Sequence, residues 1–494
     1  VELFSQSGDL VGEPRPITHP VKFYEKGERP LEIVSSPQWY VRTIAMRERL
    51  LALGSELRWH PDFMRGRFES WVEGLNGDWN ISRQRFFGIP FPVWYPVGSD
   101  GTIDGAHPIL ADEERLPVDP SVDAPEGYSP DQRGVPGGFV GDPDVMDTWA
   151  TSSMSPQVAG RWEEDPDLFG RVFPMDLRPQ AHDIIRTWLF STVVRSELEH
   201  GELPWANAAI SGWILDPDRK KMSKSKGNVV VPNDLLDRHG TDAVRYWAAS
   251  ARLGVDTIFD EQQMKIGRRL AIKILQATKF GVSRLGGAPP AGGGDAPRTP
   301  LDAAMLDRLA ETVAEATESL ESYEHARALE RTERFFWTFC DDYLELVKGR
   351  AYRDGPGAVS ARGALGSALS ALLRLFAPYL PFATEEAWSW WHDTSVHLAP
   401  WPDASSLSVD ADARGEVLDV AGTVLGEVRR AKTVAKRSMR WPVTRVTVRG
   451  DERSLALASL ASDDLAEAAN ARSVELEQGG PDLDVEVVLA EEPE

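Results

Sequence analysis

Between Asp216 and Asn228 the sequence reads DPDRKKMSKSKGN, which places Arg219, Lys220, Lys221, Lys224 and Lys226 in one short run. The chain as a whole carries a formal net charge of -23, so this run is a local exception. Cations packed this closely repel one another and need either solvent or an anion between them. Gly227 and the small serines let such a segment move and bring its backbone near a ligand. Lysine ammonium groups can neutralise charge on a phosphoryl group during transfer. The pattern therefore predicts a mobile phosphate clamp. A solvated basic loop is the plainer alternative, because charge runs are common; the string Lys-Met-Ser-Lys-Ser followed by Lys-Gly-Asn is not.

A second run, RRAKTVAKRSMR from Arg429 to Arg440, has the charge for phosphate contacts on a nucleic acid, with a solvated helix face as its alternative. The acidic balance elsewhere argues against nonspecific nucleic-acid binding over the whole surface.

Both runs need a scaffold. At 494 residues the chain exceeds one ordinary hydrophobic core, and about two to four domains of roughly 100–200 residues are expected. No run of about 18 apolar residues is present, and the first residues lack the basic and apolar stretches of a signal peptide. A cytoplasmic protein is the expectation. The single cysteine, Cys340, excludes an internal disulfide and any Cys-x-x-Cys site, so no structural zinc is expected.

From about Leu31 to Trp247, apolar runs such as HPIL, AAISGWIL and NVVVP alternate with helical patterns such as HDIIRTWLFSTVV. That rhythm predicts an α/β domain with a mostly parallel sheet. Ile210 to Leu215 reads as one strand leading into the basic run, and ligands gather at the carboxyl ends of parallel strands. GGAPPAGGGDAPRTP, Gly286 to Pro300, reads as a flexible linker. Beyond it, apolar residues three and four apart predict helices. The stripes are Leu306, Leu309, Val313, Ala316 and Leu320; Phe336, Phe339, Cys340, Tyr343 and Val347; Leu365, Leu369, Leu372 and Phe376; and Val417, Val420, Val424, Val428 and Ala431. A further helix is expected to start at Thr384-Glu385-Glu386, and the set forms an antiparallel bundle. After Trp441-Pro442, the segments TRVTVRG, LASLASDDLAEAA, SVELEQ and DVEVVLAEE suggest a small α/β cap.

The lysine string resembles the second signature of the class I aminoacyl-tRNA synthetases. DWNISRQRFFGIPFPVWY (Asp78 to Tyr95) is similar to a catalytic-domain segment of the valine, isoleucine and leucine members, and DPDVMDTWATSS (Asp142 to Ser153) to their amino-acid pocket segment. LRPQAHDIIRTWLF (Leu177 to Phe190) and FFWTFCDDYLELVKGRAY (Phe335 to Tyr352) look most like the valyl branch. APYLPFATEEAW and AKTVAKRSMRWPV resemble its anticodon-binding region. The resemblance covers nearly the whole chain. It implies a tail of an editing insertion at 1–40 and the second half of a Rossmann-like α/β nucleotide-binding domain at 41–250. Connecting helices and the linker follow at 251–300, then an α-helical anticodon-binding bundle at 301–440 and the cap at 441–494.

The resemblance also implies ATP with Mg2+, valine and tRNA(Val) as substrates and partners. Lys221 and above all Lys224 would stabilise the pyrophosphate end of ATP, with Met222, Ser223 and Ser225 shaping the loop. His182 and Asp183 would meet the ATP ribose, a role that suits an acceptor carboxylate; an Asp in a helix first turn is the plainer reading. Phe87, Asp147 and Trp149 would line the amino-acid pocket, although aromatics more often pack in cores. Many relatives carry Trp where Phe87 stands and Cys where Asn80 stands. Arg429, Arg430, Lys432, Lys436 and Arg437 would contact tRNA phosphates.

The other family signature, His-x-Gly-His, is absent from the nine histidines. The expectation is thus the carboxyl-terminal portion of a valyl-type ligase, a cytoplasmic monomer that is either completed by a separate amino-terminal half or a truncated piece of one longer chain. An isoleucyl-type ligase and a noncatalytic tRNA-binding fragment are the alternatives.

Overall fold

The structure is a computed structural model that describes residues 2–16, 18, 20–23, 29–31, 35–222, 227–285, 299–407 and 415–491. The linker from 286 to 298 and four residues of the lysine string, Ser223, Lys224, Ser225 and Lys226, lie outside the described residues. The chain divides into two compact units. The first comprises Val1–Leu51, Trp71–Ala159 and Ser191–His200; the second comprises Ala52–Ser70, Gly160–Phe190 and Gly201–Glu494.

The first unit is built from short antiparallel pairs. Tyr40–Val41 pairs with Trp79–Asn80, and Ser82–Arg83 with Val145–Met146. Val93–Pro96 lies between Ile109–Leu110 and Phe139–Gly141. The HPIL run therefore enters an antiparallel sheet and not the expected parallel one, because no helical crossover separates it from its partner strand. Buried Trp94 and Phe139 anchor this sheet. The Trp39 indole and the Tyr95 hydroxyl both donate to one carboxylate oxygen of Asp142, at 2.7 and 2.8 Å.

The second unit holds the parallel sheet. Strands β1 (Arg58–His60), β2 (Met175–Ala181) and β3 (Trp205–Ser211) lie in the order β1-β3-β2, both neighbours parallel to β3. Central β3 is buried along most of its length, as a strand flanked on both sides should be. Its one buried amide is satisfied from both neighbours: Asn207 donates to the Asp176 carbonyl at 2.9 Å, and its side-chain oxygen meets His60 Nε2 at 3.1 Å.

The run from Ile210 to Leu215 is not one strand. It breaks at Gly212, where a Cβ would lie 2.3 Å from the backbone of Val255, and resumes as β4 (Ile214–Leu215) beside parallel β5 (Thr257–Ile258). Close approach of two backbones is what the glycine permits. NVVVP forms no strand either; it runs irregularly into helix α1 (Pro232–His239) with Pro232 at its first position.

Helices α2 (Thr241–Ala249) and α3 (Glu261–Leu285) lead into the bundle of α4 (Pro300–Glu321), α5 (His325–Thr338), α6 (Leu344–Tyr352), α7 (Pro356–Phe376), α8 (Pro381–Ser389) and α9 (Glu416–Val434). A π-helical turn over Phe339–Tyr343 joins α5 to α6 and keeps Phe336, Phe339, Cys340, Tyr343 and Val347 buried together. Burial pushes the Cys340 thiol up to about 12, which leaves it an inert apolar group. Helix α8 starts three residues before the expected Thr384. Its first amides, Phe382 and Ala383, are capped from outside by the Asp242 carboxylate at 3.2 and 2.7 Å, a signal no local pattern carries.

Beyond α9 come β6 (Val443–Gly450), α10 (Glu452–Ser459), α11 (Ser462–Ala469), β7 (Ala471–Gln478) and β8 (Asp484–Leu489). Strand β6 is central, parallel to β7 and antiparallel to β8. Val443, Val446 and Leu465 share one continuous core with Phe336 and Val417. A buried polar knot supports that core. Asp302 accepts from Tyr343 at 2.8 Å, from Thr299 at 2.8 Å and from Arg350 at 2.7 and 3.0 Å; Arg350 also donates to Asp464 at 2.9 and 3.0 Å. Burial opposes the Arg350 charge, and its bonds to the two carboxylates outweigh it, so the guanidinium is held more firmly protonated than usual.

Candidate functional site

The end of β4 sets up the basic run. Asp216 accepts from the Lys220 amide at 2.8 Å and from the Asn228 side-chain amide at 2.8 Å, while its own amide donates to the Lys220 carbonyl at 2.9 Å. Arg219 sits at φ +62 in this tight turn. The Asn228 bond first, then the Lys220 amide, hold the Asp216 carboxyl below its ordinary value. Lys221 thus leaves the turn from a fixed point, bridged to Leu215.

Its ammonium lies 3.5 Å from Asp183 Oδ2 and 4.3 Å from the Trp213 ring centre. Asp183 belongs to the short turn His182–Ile184 at the carboxyl end of β2. The His182 ring is buried against Trp213, centroids 4.6 Å apart, and its Nδ1 has no partner among the described residues. Three of the expected residues, His182, Asp183 and Lys221, therefore come together at the ends of parallel strands, where ligands collect in such sheets. Met222 is half-buried beside them in sequence. Trp213 was not singled out in the sequence; its place two residues before Leu215, on the approach to the lysines, was the available signal.

The other expected pocket residues belong to the first unit. Phe87 does not form a wall here: it is 86% exposed, beside Phe86 at 95%, the two rings edge to face at 5.2 Å. The next residue, Gly88, packs against Val145, where a Cβ would lie 2.5 Å from its side chain. Asp147 is buried. Its Oδ1 pairs with Arg83 at 3.3 Å, and its Oδ2 has no partner among the described residues. Arg83 is a second residue that sequence reasoning passed over. Trp149 is half-buried. Asn80 is tied into the turn, its side-chain oxygen accepting from the Ser82 amide at 3.0 Å.

The basic helix α9 splits its charges. Lys432 is not a surface phosphate contact: only 1% exposed, it donates to the carbonyls of Met439 at 2.9 Å and Ala469 at 2.8 Å. Burial lowers its ammonium pKa. Arg429 is tied to the Asp342 carboxylate at 3.2 Å and to the Asp341 carbonyl. Arg430, with its side chain 74% exposed, meets the neighbouring Glu427 at 3.3 Å. Lys436 and Arg437 are exposed, the Arg437 guanidinium 4.0 Å over the Trp441 ring.

A cavity of about 670 Å³ in the second unit lies elsewhere, lined by His60, Tyr323, Arg252 and Arg334 among others. Both arginines share one carboxylate, Glu330, at 3.6 and 3.3 Å. Among the described residues no group of three or more His, Cys, Asp or Glu is placed to hold a metal ion, and no helix is long and apolar enough to cross a membrane.

The family model for tRNA synthetases class I (I, L, M and V) matches residues 22–260, and that for the anticodon-binding domain of tRNA ligase matches residues 302–447. The valine–tRNA ligase of Thermobifida fusca (strain YX) is 61% identical, over 99% of this chain and 56% of its own length. That of Leifsonia xyli subsp. xyli is 59% identical, over 100% of this chain and 58% of its own. The chain thus spans a little over half the length of the curated relatives it matches. A solved LeuRS–tRNA–LeuAMS ternary complex, with the agnB2 LeuRS of Agrobacterium radiobacter K84, shares the fold at a TM-score of 0.55 and 21% identity. It covers 68% of this chain and 43% of that one. Kept in step with valine–tRNA ligases along its whole length, this chain belongs to the class I aminoacyl-tRNA synthetase family, on its valine branch.

Proposed function

We propose that the chain is the carboxyl-terminal part of a valine–tRNA ligase, contributing the lysine signature, the ribose-binding pair and the anticodon-binding bundle. The observation that carries this reading is the meeting of Lys221 with Asp183 and His182 at the carboxyl ends of the parallel strands, in a chain 61% identical to a valine–tRNA ligase. In the reaction, a valine carboxylate oxygen attacks the α-phosphorus of ATP, the bond to the bridging oxygen breaks, and pyrophosphate leaves. The valyl group then moves from the adenylate to the terminal ribose of tRNA(Val).

Such chemistry depends mainly on positioning and on offsetting charge. Lys221 and Lys224 answer the charge on the departing pyrophosphate, and Mg2+ arrives with ATP as part of the substrate. Asp183 accepts from the ribose hydroxyls. Asp147 and Trp149 belong to the valine pocket, and the exposed Phe87 joins them when the pocket is completed. Arg430, Lys436 and Arg437 contact tRNA phosphates. A cytoplasmic monomer without structural zinc, with threonine editing assigned to another part of the enzyme, completes the reading.

The missing His-x-Gly-His pair sets the test. The purified 494-residue chain supports no valine-dependent ATP–pyrophosphate exchange, and exchange appears when the amino-terminal part of a valine–tRNA ligase is added. Lys224→Ala in that pair lowers turnover by about two orders of magnitude or more, the scale set by loss of one transition-state charge contact. Exchange by the chain alone removes the need for a second piece; no exchange by the pair removes the ligase reading.

A further inference from the structure

Trp213 touches two members of the nucleotide end at once, the His182 ring at 4.6 Å between centroids and the Lys221 ammonium at 4.3 Å from the ring centre. Its backbone is held on both sides: the amide donates to Asp256 at 2.8 Å, and the carbonyl accepts from Thr257 at 2.8 Å. The ring on this backbone packs against His182, and the ammonium resting on it lies 3.5 Å from Asp183 Oδ2.

That arrangement creates a competition. While the ammonium lies against Oδ2, Asp183 offers that oxygen less strongly to a ribose hydroxyl, and Lys221 is drawn away from a phosphate. Asp216 is engaged by the Lys220 amide and Asn228 instead. Asp218 faces Lys220, at 3.7 Å. With the Lys221 and Asp183 side chains 48% and 36% exposed, the pair is weak enough for a ligand to part.

We propose that Trp213 is a positioning residue that holds the Lys221 ammonium against Asp183 while no nucleotide is bound, so that a ribose must displace the ammonium and a phosphate must draw it away. This rests on reading the site as the nucleotide end of the enzyme. The two halves of ATP then respond to Lys221 in opposite senses: adenosine carries the ribose without phosphate, and inorganic pyrophosphate carries phosphate without ribose.

Isothermal titration of the 494-residue chain with adenosine, MgATP and inorganic pyrophosphate separates these senses. Lys221→Ala tightens adenosine about fivefold by freeing Asp183 and weakens pyrophosphate by about fivefold or more, the range of one exposed ion pair with one cation–π contact. Trp213→Leu tightens adenosine about two- to threefold, and Trp213→Phe, which keeps an aromatic face, restores the original affinity. A merely structural role would weaken all three ligands together. If the unaltered chain binds MgATP but Lys221→Ala leaves adenosine unchanged or weaker, the positioning role is overturned and the nucleotide reading stands. If the unaltered chain binds none of the three alone, the same titrations are read on its pair with the amino-terminal part; if the pair binds none either, both fall. Should Trp213→Leu not fold, Trp213→Met, which keeps much of the volume without an aromatic face, takes its place beside Lys221→Ala, with the same result expected.

Discussion

Lys221 keeps its ammonium half in solvent, 3.5 Å from one carboxylate and 4.3 Å from an aromatic ring, whereas Lys432 donates to two backbone carbonyls at 2.9 and 2.8 Å with 1% of its surface exposed. Each comes from a basic run that charge counting marks as an anion site. The first has partners that a phosphate can replace. The second has partners that are part of the fold, joining α9 to the segment before β6 and to the end of α11. A lysine suits that task because it combines reach with three donors, and no acid nearby is needed once the carbonyls are in place. A run of positive charge therefore says nothing about function until the accessibility and displaceability of each partner are known.

The sharpest way to break this contrast is to remove the pin. Lys432→Met keeps the volume and leaves the buried Ala469 carbonyl without its donor, and the part-exposed Met439 carbonyl to solvent, so the second unit should lose about 1–3 kcal/mol. Urea unfolding followed by circular dichroism reads this as a lower midpoint. Lys221→Met, on a half-exposed side chain, should move the midpoint by about 0.5 kcal/mol or less. Equal shifts for the two variants would end the distinction.

A smaller effect distinguishes residues within α9. If Arg430 and Lys436 meet tRNA phosphates, Ala at either position should reduce the slope of log affinity against log salt by roughly 0.7–0.9. Arg429→Ala should leave the slope unchanged, because its guanidinium is already committed to Asp342 and the Asp341 carbonyl. Filter binding of tRNA(Val) across a salt series checks both. An Arg429 slope change matching that of Arg430 would return it to the phosphate contacts.

How far the sequence spoke depended on how local the cause was. The helical stripes around Leu309, Leu369 and Val424 were legible because one side of each helix is buried and the period repeats. Of the parallel strands only central β3 was legible, through the apolar run AAISGWIL; β1 and β2, RWH and MDLRPQA, carry no such run, whereas the strands of the cap alternate visibly. The break at Gly212 was not, since it depends on Val255 more than forty residues away coming within 2.3 Å of where a Cβ would stand. The start of α8 escaped for the same reason: its cap, Asp242, lies on α2. At the site, His182, Asp183 and Lys221 could be found from motif strings. Trp213 and Arg83 lie within the strings AAISGWIL and DWNISRQRFFGIPFPVWY yet were not singled out, because their importance comes from what they touch across the fold. The burial of Lys432 and the exposure of Phe87 reversed the usual expectation for a charged and an aromatic side chain.

The smallest expected effect concerns the turn that aims Lys221. Asp216 has its carboxyl pKa lowered in the fold, by Asn228 first and then by the Lys220 amide. A carboxyl with a depressed folded pKa stabilises its structure above the unfolded value of 3.8, and that contribution is lost as pH falls through the folded value. The Lys220 amide, which donates to Asp216 Oδ1 at 2.8 Å, is the reporter. Asp216→Asn keeps an acceptor without the charge, so exchange of that amide should be about two- to fivefold faster in the variant near neutral pH. The ratio should then fall toward one below pH 3.8, as the native carboxyl takes up its proton. Hydrogen exchange followed by mass spectrometry over that range measures the ratio directly. A ratio independent of pH would mean that the turn is held by its backbone alone, and that Lys221 starts from a point the Asp216 charge does not fix.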